Sequence, residues 1–269
     1  MFKSKMTTPA TPERVYALCK LVESGPAAAR DLQERMEPSC LGQTTKYFGD
    51  YRGAAEELGL ITVADNTVSL AVDRAVVRST DTMRKYINGK LHEFREGTFC
   101  RVTRAVFALD WKTLRAKCTE PGKDPSVTSS ELLRYVSDLS GAEVDAMAMR
   151  GWRFWVSYLG FGYMQGMFFI PNAYGFLSDV LPLAELKKGE RTVFDGFMER
   201  ILPYCPMLVT EDDRASRALN YGMSAGLRML HDTGSVKLEH IMDQKDPWRL
   251  YGMRNHPVSA DVSHITALK

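Results

Sequence analysis

The stretch YRGAAEELGL, residues 51–60, aligns without a gap to WRFWVSYLGF, residues 152–161. Both stretches have apolar residues at helical spacing and then reach a Leu-Gly pair. Glycine commonly follows a helix because it adopts the left-handed conformation there without a steric cost. β-branched or aromatic residues around turn residues come next in both places, which predicts a two-stranded β-ribbon after each helix. The sequence therefore contains a repeated helix-hairpin unit.

A third and fainter copy lies near the end of the sequence, where a helical segment at residues 221–233 again reaches a glycine, Gly234. The predicted strand pairs are, in chain order, 60–63 with 68–70, 162–164 with 167–170, and 235–239 with 248–251. A helix closed by glycine and followed by a β-ribbon is typical of the end of a winged helix. The pattern thus predicts a mainly α protein with short β-hairpins, an α+β fold of tandem winged-helix modules joined by a helical connector.

The length of 269 residues fits two or three small domains and exceeds what one winged helix needs. A loop-like run at Thr119-Glu120-Pro121-Gly122 marks one module boundary. The predicted segments are a winged-helix module at 10–72, a basic helical connector at 73–118, a second winged-helix-like module at 119–182 and a third at 183–269.

The first module begins at Thr11-Pro12, a capping residue followed by a proline suited to the first helical position. Two further helices are predicted at 27–36 and 43–58. In a helix-turn-helix the last of these enters the major groove, where Gln reads adenine, Arg reads guanine and Lys contacts phosphate. The candidate DNA-binding residues are Gln43, Thr44, Thr45, Lys46, Tyr47 and Arg52. In the alternative interpretation, Tyr47, Phe48 and Tyr51 pack inside and the polar residues only face water.

The connector is the most basic part of the chain. Residues 73–117 hold eleven basic and five acidic residues, a net charge of +6, whereas the whole chain carries +2. A basic helical segment can follow a phosphate backbone, so Arg84, Lys85 and Arg95 are further candidates for DNA contact. The alternative is a solvated helix face whose arginines pair with acidic groups of the same protein.

In the second module, the helix before the hairpin is apolar on nearly all sides, from Met147 to Leu159. A helix of this kind is buried or pressed against a partner, which makes it a poor reader of DNA. The methionines and phenylalanines at 164–169 suit either a core or an adaptable protein-binding surface.

The sequence offers little for catalysis. It lacks the phosphate-binding loop, the dinucleotide fingerprint, the zinc-protease helix motif and the nucleophile elbow. We interpret Glu211-Asp212-Asp213 as a helix N-terminus rather than a cation site, because acidic side chains stabilise that end. Histidine and cysteine spacings indicate no metal site, so no enzyme activity, metal or cofactor is expected.

Five cysteines without paired spacing favour a reducing cytoplasm. The first nine residues have two lysines but no apolar core behind them, unlike a signal peptide. No apolar run approaches the roughly 20 residues of a membrane span. The expected location is therefore cytoplasmic, without a membrane partner.

The order of elements at residues 15–70 resembles the winged helices of bacterial transcription regulators and of accessory proteins in phage-defence and DNA-modification gene clusters. The later pattern resembles the winged-helix accessory component of the Dpd system (DpdG-like), associated with deazapurine-modified DNA. The stretches that carry this resemblance are residues 152–160, 169–171, 197–202, 206–208, 227–230 and 234–239. They share apolar spacing without a diagnostic motif, so the resemblance implies a non-enzymatic role beside DNA-processing partners and transfers no functional residue.

The leading hypothesis is a DNA-binding or DNA-proximal adaptor subunit of a prokaryotic DNA-processing or defence assembly, with double-stranded DNA and other protein subunits as partners. One alternative is a protein-binding tandem winged-helix scaffold, like the accessory subunits of condensin-like complexes. Another is a transcriptional repressor. A surface shared by Lys46, Arg52 and the connector arginines favours DNA, whereas an exposed apolar patch at 152–169 favours a protein partner.

Overall fold

The computed structural model describes residues 2–3, 6–42, 47–109, 130–165, 168–242, 246–253 and 256–269. The described part is α+β, with helices surrounding small antiparallel sheets. The helices are α1 (Pro12–Val22), α2 (Ala29–Met36), α3 (Phe48–Glu57), α4 (Thr80–Lys90), α5 (Thr98–Ala108), α6 (Ser130–Ser140), α7 (Ala146–Tyr158), α8 (Tyr174–Val180), α9 (Phe194–Ile201), α10 (Glu211–Ser216) and α11 (Tyr221–Asp232). The strands are β1 (Ala27–Ala28), β2 (Ile61–Ala64), β3 (Thr67–Leu70), β4 (Gly162–Gln165), β5 (Phe168–Pro171), β6 (Arg191–Val193), β7 (Val236–Glu239), β8 (Trp248–Arg249), β9 (Asp261–Val262) and β10 (His264–Ala267).

The first unit contains α1 to α3 and the sheet of order β1-β3-β2. The Thr11 hydroxyl accepts a hydrogen bond from the Arg14 backbone N–H at 3.4 Å, so the predicted cap of α1 is confirmed. The hairpin of β2 and β3 turns at Asp65 and Asn66, both with positive φ, as a tight type I′ turn requires. The predicted first hairpin is therefore confirmed as well.

The second unit contains α6, α7 and the ribbon of β4 and β5, in which Tyr163 pairs with Ile170. The hairpin predicted here is also confirmed. Gly160, with φ of +80°, lies between the end of α7 and β4. A Cβ added to Gly160 would lie 2.7 Å from the Gly175 carbonyl carbon. Glycine at this position therefore provides both the turn and the close approach of α8.

The third unit contains β6, α9 to α11 and β7 to β10, and its main sheet corresponds to that of the first unit. Strand β6 leads directly into α9, as β1 leads into α2, and the sheet has the order β6-β10-β7. The central strand β10 pairs antiparallel with both neighbours, as β3 does in the first unit. Chain topology thus relates the first and third units, although the sequence alignment had related the first and second.

The strand pairing predicted for the third unit was wrong. Residues 248–251 were expected to pair with the strand at 235–239, but Leu238 pairs with Ile265 of β10. Trp248 pairs instead with Val262 and packs its ring 6.2 Å from that of Phe194. The segment between β7 and β10 therefore forms a ribbon of its own, because burying Trp248 against α9 removes it from the main sheet.

Buried apolar residues of all three units belong to one hydrophobic cluster. Residues 2–3 and 6–10, termed here the N-terminal strap, enter this cluster through Phe2, Met6 and Ala10. The Phe2 ring lies 4.8 Å from Trp155, edge to face, and the Trp155 indole N–H donates to the Ala10 carbonyl at 2.5 Å. The strap thus joins the first unit to α7 of the second.

Helix α11 packs backbone to backbone against the start of α8. A Cβ on Gly226 would lie 2.8 Å from the carbonyl carbon of Ala173, and one on Gly222 would lie 2.3 Å from the Phe107 ring. The Ala173 backbone N–H donates to the Gly222 carbonyl at 3.0 Å. Small residues on one face of α11 therefore permit this helix of the third unit to pack closely against the second unit.

Candidate nucleic-acid interface

In each unit, one helix ends next to a glycine and leads into a paired strand. These helices are α3, α7 and α11, and we call them the pre-hairpin helices. In α11 every residue from Gly222 to Arg228 is buried, and α7 is buried on most of its circumference. In α3 the buried residues form one stripe, Phe48, Tyr51, Ala54 and Ala55. Among the three, α3 is therefore the helix with a broad solvent face.

At the N-terminal end of α3, Arg14 of α1 and Arg52 of α3 lie against aromatic rings. The Arg14 guanidinium lies 5.9 Å from the Tyr47 ring and 6.0 Å from the Tyr51 ring, and that of Arg52 lies 5.7 Å from the Phe48 ring. The rings of Phe48 and Tyr51 meet edge to face at 5.5 Å. We call these five residues the arginine-aromatic cluster. Cation-π contact holds the Arg14 guanidinium beside Tyr47 and Tyr51 and the Arg52 guanidinium beside Phe48.

Burial differs across the cluster. Phe48 and Tyr51 are buried as the alternative interpretation expected, but Tyr47 is 45% exposed and Arg14 is exposed. Burial, and then the nearby Glu37 carboxylate, raises the pKa of Tyr51, so its hydroxyl stays protonated. The aromatic rings are thus uncharged and pack against the two guanidinium groups.

The other predicted DNA-contacting residues of the first unit, Gln43, Thr44, Thr45 and Lys46, lie outside the described residues. Arg14 was not among the candidates. It stands thirty-eight positions before Arg52 in the sequence, and only the packing of α1 on α3 brings it to the cluster. Its position at the edge of the apolar stripe of α1, about 90° from the centre of that stripe, is the signal that a sequence analysis could have used.

Arg84 of the connector is held inside the protein. Its Nε lies 2.8 Å from Asp179 Oδ2, and its Nη1 lies 2.7 Å from Asp81 Oδ1. The Asp179 side chain is only 2% exposed and also accepts from Asn88 Nδ2 at 2.9 Å. These partners raise the pKa of Arg84, Asp179 being the main cause, and they tie α4 to α8.

Lys85 and Arg95 are both exposed, and Arg95 Nε lies 3.7 Å from Glu96. No hydrogen bond or ion pair of the described residues joins Arg84, Lys85 or Arg95 to the arginine-aromatic cluster. The connector meets α1 on another side, where the Tyr16 hydroxyl donates to the Arg78 carbonyl at 3.4 Å. Positions 14 and 16 project about 200° apart on a helix. Among the described residues, Arg14 therefore lies on a different side of α1 from its contact with the connector.

A cleft of about 790 Å³ lies between the connector and the third unit. Its charged lining residues are Glu93, Arg95, Glu96, Arg104, Glu199, Glu211 and Arg214. Arg104 is fixed in the wall by donating to the carbonyls of Pro206 and Arg95, each at 3.2 Å. Because both signs of charge line it, the cleft does not extend a phosphate-binding surface.

Nucleophilic and metal-binding chemistry find little support in the described residues. Burial raises the pKa of the Cys19 and Cys100 thiols to about 12, which keeps both protonated. Among the residues that the structure describes, no group of three or more His, Cys, Asp or Glu side chains could hold a metal ion. As the sequence predicted, the acidic run at Glu211 begins a helix, α10, with Thr210 as its cap.

Helices of the described chain are all too short or too polar to cross a bilayer. Comparisons with protein-family models, curated proteins and solved structures found no match to this chain. Inference about its function therefore depends on the arrangement of its own residues.

Proposed function

We propose that this protein is a non-enzymatic DNA-binding adaptor subunit of a prokaryotic DNA-processing or defence assembly. In this proposal the first unit is a winged helix that contacts double-stranded DNA through α3. The observation that carries it is the open face of α3 with the arginine-aromatic cluster at its N-terminal end. A helix that presents its N-terminal residues and guanidinium groups to solvent has the form required to meet a duplex.

Topology supports the winged-helix assignment. The first unit has the order helix, strand, helix, helix, strand, strand, and its first strand β1 pairs with its last strand β3. The third unit has the same strand order, which supports the proposal of tandem modules. The second unit supports it less strongly, through α7 and the ribbon that follows.

Burial supports the adaptor role over that of a repressor that reads DNA with several helices. Since α7 and α11 are largely buried in the core, only the first unit has a pre-hairpin helix with a broad solvent-exposed face among the described residues. The other two units then serve as a frame that carries surfaces for further protein subunits.

A specific observation favours the second candidate function, a protein-binding scaffold. Met147 and Phe154 are 61% and 42% exposed on one face of α7, with exposed Arg150 between them. Positions seven apart share a helix face, so the two apolar side chains form one surface stripe. In the scaffold alternative this stripe, rather than α3, contacts the partner.

Fluorescence anisotropy with a labelled duplex at several salt concentrations tests the DNA proposal. We expect Arg14→Ala combined with Arg52→Ala to weaken binding roughly tenfold at low salt, because two phosphate contacts are lost. The double variant Lys85→Ala/Arg95→Ala tests the connector separately. Arg249→Ala is the matched control, since Arg249 is an exposed arginine of the third unit. Absence of binding at low salt, or equal loss in the control, would reject the DNA proposal in favour of the scaffold.

A further inference from the structure

The main sheet of the third unit has one face in the core and one face open to solvent. Ile265 of the central strand pairs with Leu238, and both are buried. The next row of the register consists of Arg191, Thr266 and Lys237. Since alternate residues of a strand point to opposite faces, this second row lies on the solvent face. The side chains of its two outer members, Arg191 and Lys237, are 55% and 53% exposed.

Arg191 and Lys237 both contact the carboxylate of Glu239. Arg191 Nε lies 3.4 Å from Glu239 Oε2, and Lys237 Nζ lies 2.8 Å from Glu239 Oε1. The hydrogen bond from Lys237 is the main cause that lowers the pKa of Glu239, so this carboxylate stays ionised. Because β10 separates β6 from β7, the contact between Arg191 and Glu239 crosses the central strand. Two cationic groups from the outer strands thus reach one anionic group on the solvent face of the sheet.

Positive charge on this sheet continues beyond the pair. Lys187 and Lys188 are exposed just before β6, and Lys188 forms an isolated bridge with Ala267 at the end of β10. Residues 187–193, 236–239 and 264–267 together hold four basic and two acidic residues, a net charge of +2. That equals the net charge of the whole chain. The strands of the first unit, in contrast, contain no lysine or arginine. The first unit therefore has arginines at its open helix, whereas the third unit has basic residues on its sheet.

We infer that the solvent face of the third-unit sheet binds the phosphodiester backbone of duplex DNA, as a second contact besides α3. This inference rests on the proposed DNA-binding function. Guanidinium, ammonium and hydroxyl groups are common donors to phosphate oxygens, and Thr266 lies between Arg191 and Lys237 in the register. The Glu239 carboxylate shows that both cations reach one anionic group, and a phosphate offers equivalent oxygens. Contacts of this kind add affinity and fix orientation without reading bases.

Fluorescence anisotropy with one labelled duplex across a salt series compares the wild type with Arg191→Ala/Lys237→Ala. We expect the double variant to bind roughly fivefold to tenfold more weakly at low salt. The slope of log K against log salt should fall in magnitude by about 2, because each neutralised phosphate contributes about 0.9. The matched control is Arg200→Ala/Arg249→Ala, which removes two exposed arginines of the third unit on α9 and β8. Circular dichroism checks that each variant is folded.

The charge-preserving exchange Arg191→Lys/Lys237→Arg separates a phosphate contact from a structural role. It should bind within about twofold of the wild type, because the electrostatic contribution is retained. Wild-type affinity in the alanine variant, as expected if the sheet instead holds an acidic protein segment, overturns the inference while the proposal for α3 stands. An equal loss in the control also overturns it. Absence of binding by the wild type at low salt overturns both.

Glu239→Gln tests whether phosphate approaches the two cations themselves. Removing the negative charge between Arg191 and Lys237 should strengthen DNA binding by about threefold at low salt. Glu211→Gln is the matched control, because Glu211 is a 90% exposed carboxylate elsewhere in the third unit. An unchanged or weaker affinity in Glu239→Gln, or the same gain in Glu211→Gln, contradicts a phosphate contact at this position.

Discussion

The first and third units of the molecule have the same strand order in their main sheets but differ in what surrounds the pre-hairpin helix. In the first unit α3 buries one stripe and leaves Gly53 in open space. In the third unit α11 is enclosed, and Gly226 lies against the backbone at the start of α8. With the same strand order, α3 thus keeps a solvent-exposed face, whereas α11 is buried in the core. The local packing of small residues, rather than strand order, separates the two.

The connections between the paired strands also differ between the first and third units. Strands β2 and β3 are joined by the tight turn at Asp65 and Asn66, whereas residues 240–263 separate β7 from β10 and include the ribbon of β8 and β9. The compact unit leaves its helix open, and the elaborated unit adds buried apolar residues such as Trp248 and Leu250.

The largest expected effect comes from filling the contact of α11. Gly226→Ala should lower the free energy of unfolding by about 3 kcal/mol, because its Cβ would press on the backbone at Ala173 and Tyr174, which cannot turn aside. Urea denaturation followed by circular dichroism measures the change. A loss below about 1 kcal/mol would mean that α11 is not enclosed as described, and the contrast between the units would fail.

The ion pair that anchors α8, the helix covering α11, gives the next effect. Arg84→Ala should lower the free energy of unfolding by about 2 kcal/mol, because it leaves the Asp179 carboxylate buried without its guanidinium. Thermal unfolding measures it. The neighbouring exposed residue provides the control, Lys85→Ala, which should change stability little. Equal effects of the two substitutions would contradict a locking role for Arg84.

A change of opposite sign is expected in the open helix. Gly53→Ala should raise the free energy of unfolding by about 0.5 to 1 kcal/mol, because alanine favours the helix and its Cβ meets no neighbour. The same urea titration used for Gly226→Ala makes the pair directly comparable. Destabilisation by Gly53→Ala would show that this face of α3 is covered.

Thiol labelling under native conditions tests whether the two units open separately. Cys40 is exposed and should react at once, whereas Cys19 of the first unit and Cys205 beside the third are buried. We expect these two to label slowly and at similar rates, because both belong to one hydrophobic cluster. Single-cysteine variants read by mass spectrometry give each rate. Much faster labelling of Cys19 would mean that the first unit unfolds on its own.

The raised pKa of the Cys19 thiol predicts that the protein loses stability at alkaline pH. The pKa of Cys19 is about 12 in the folded chain and 9.0 for an ordinary thiol. The unfolded chain therefore releases this proton first, so the associated stability is present below pH 9 and is lost as the pH rises from about 9 to 12. Cys19→Ala should reduce this alkaline loss.

Local signals in the sequence predicted the local structure well. The cap at Thr11, the helix start at Glu211 and the first two hairpins follow from residues that are neighbours in the chain. Long-range pairing was not predictable in this way. Strand β10 lies beyond a second ribbon with equally suitable residues, so propensity alone could not choose between Trp248 and Ile265 as partners of β7.

The candidate interface was predicted in part. Arg52 follows from its place on a helix before a hairpin, but the contribution of Arg14 depends on the packing of α1 on α3. The charge count singled out Arg84 correctly as basic, yet its buried partner Asp179 stands ninety-five positions away. Sequence patterns report charge, and only the fold determines whether that charge faces solvent.

The N-terminal strap has a consequence for synthesis on the ribosome. Phe2 and Ala10 are synthesised before Trp155, whose indole contacts both of them and lies 145 residues after Ala10. At roughly 5 to 20 residues per second, these apolar residues wait on the order of ten seconds or more for their partner. The strap thus reaches its final place only after the second unit has been synthesised, and during that interval it is a natural client for a chaperone.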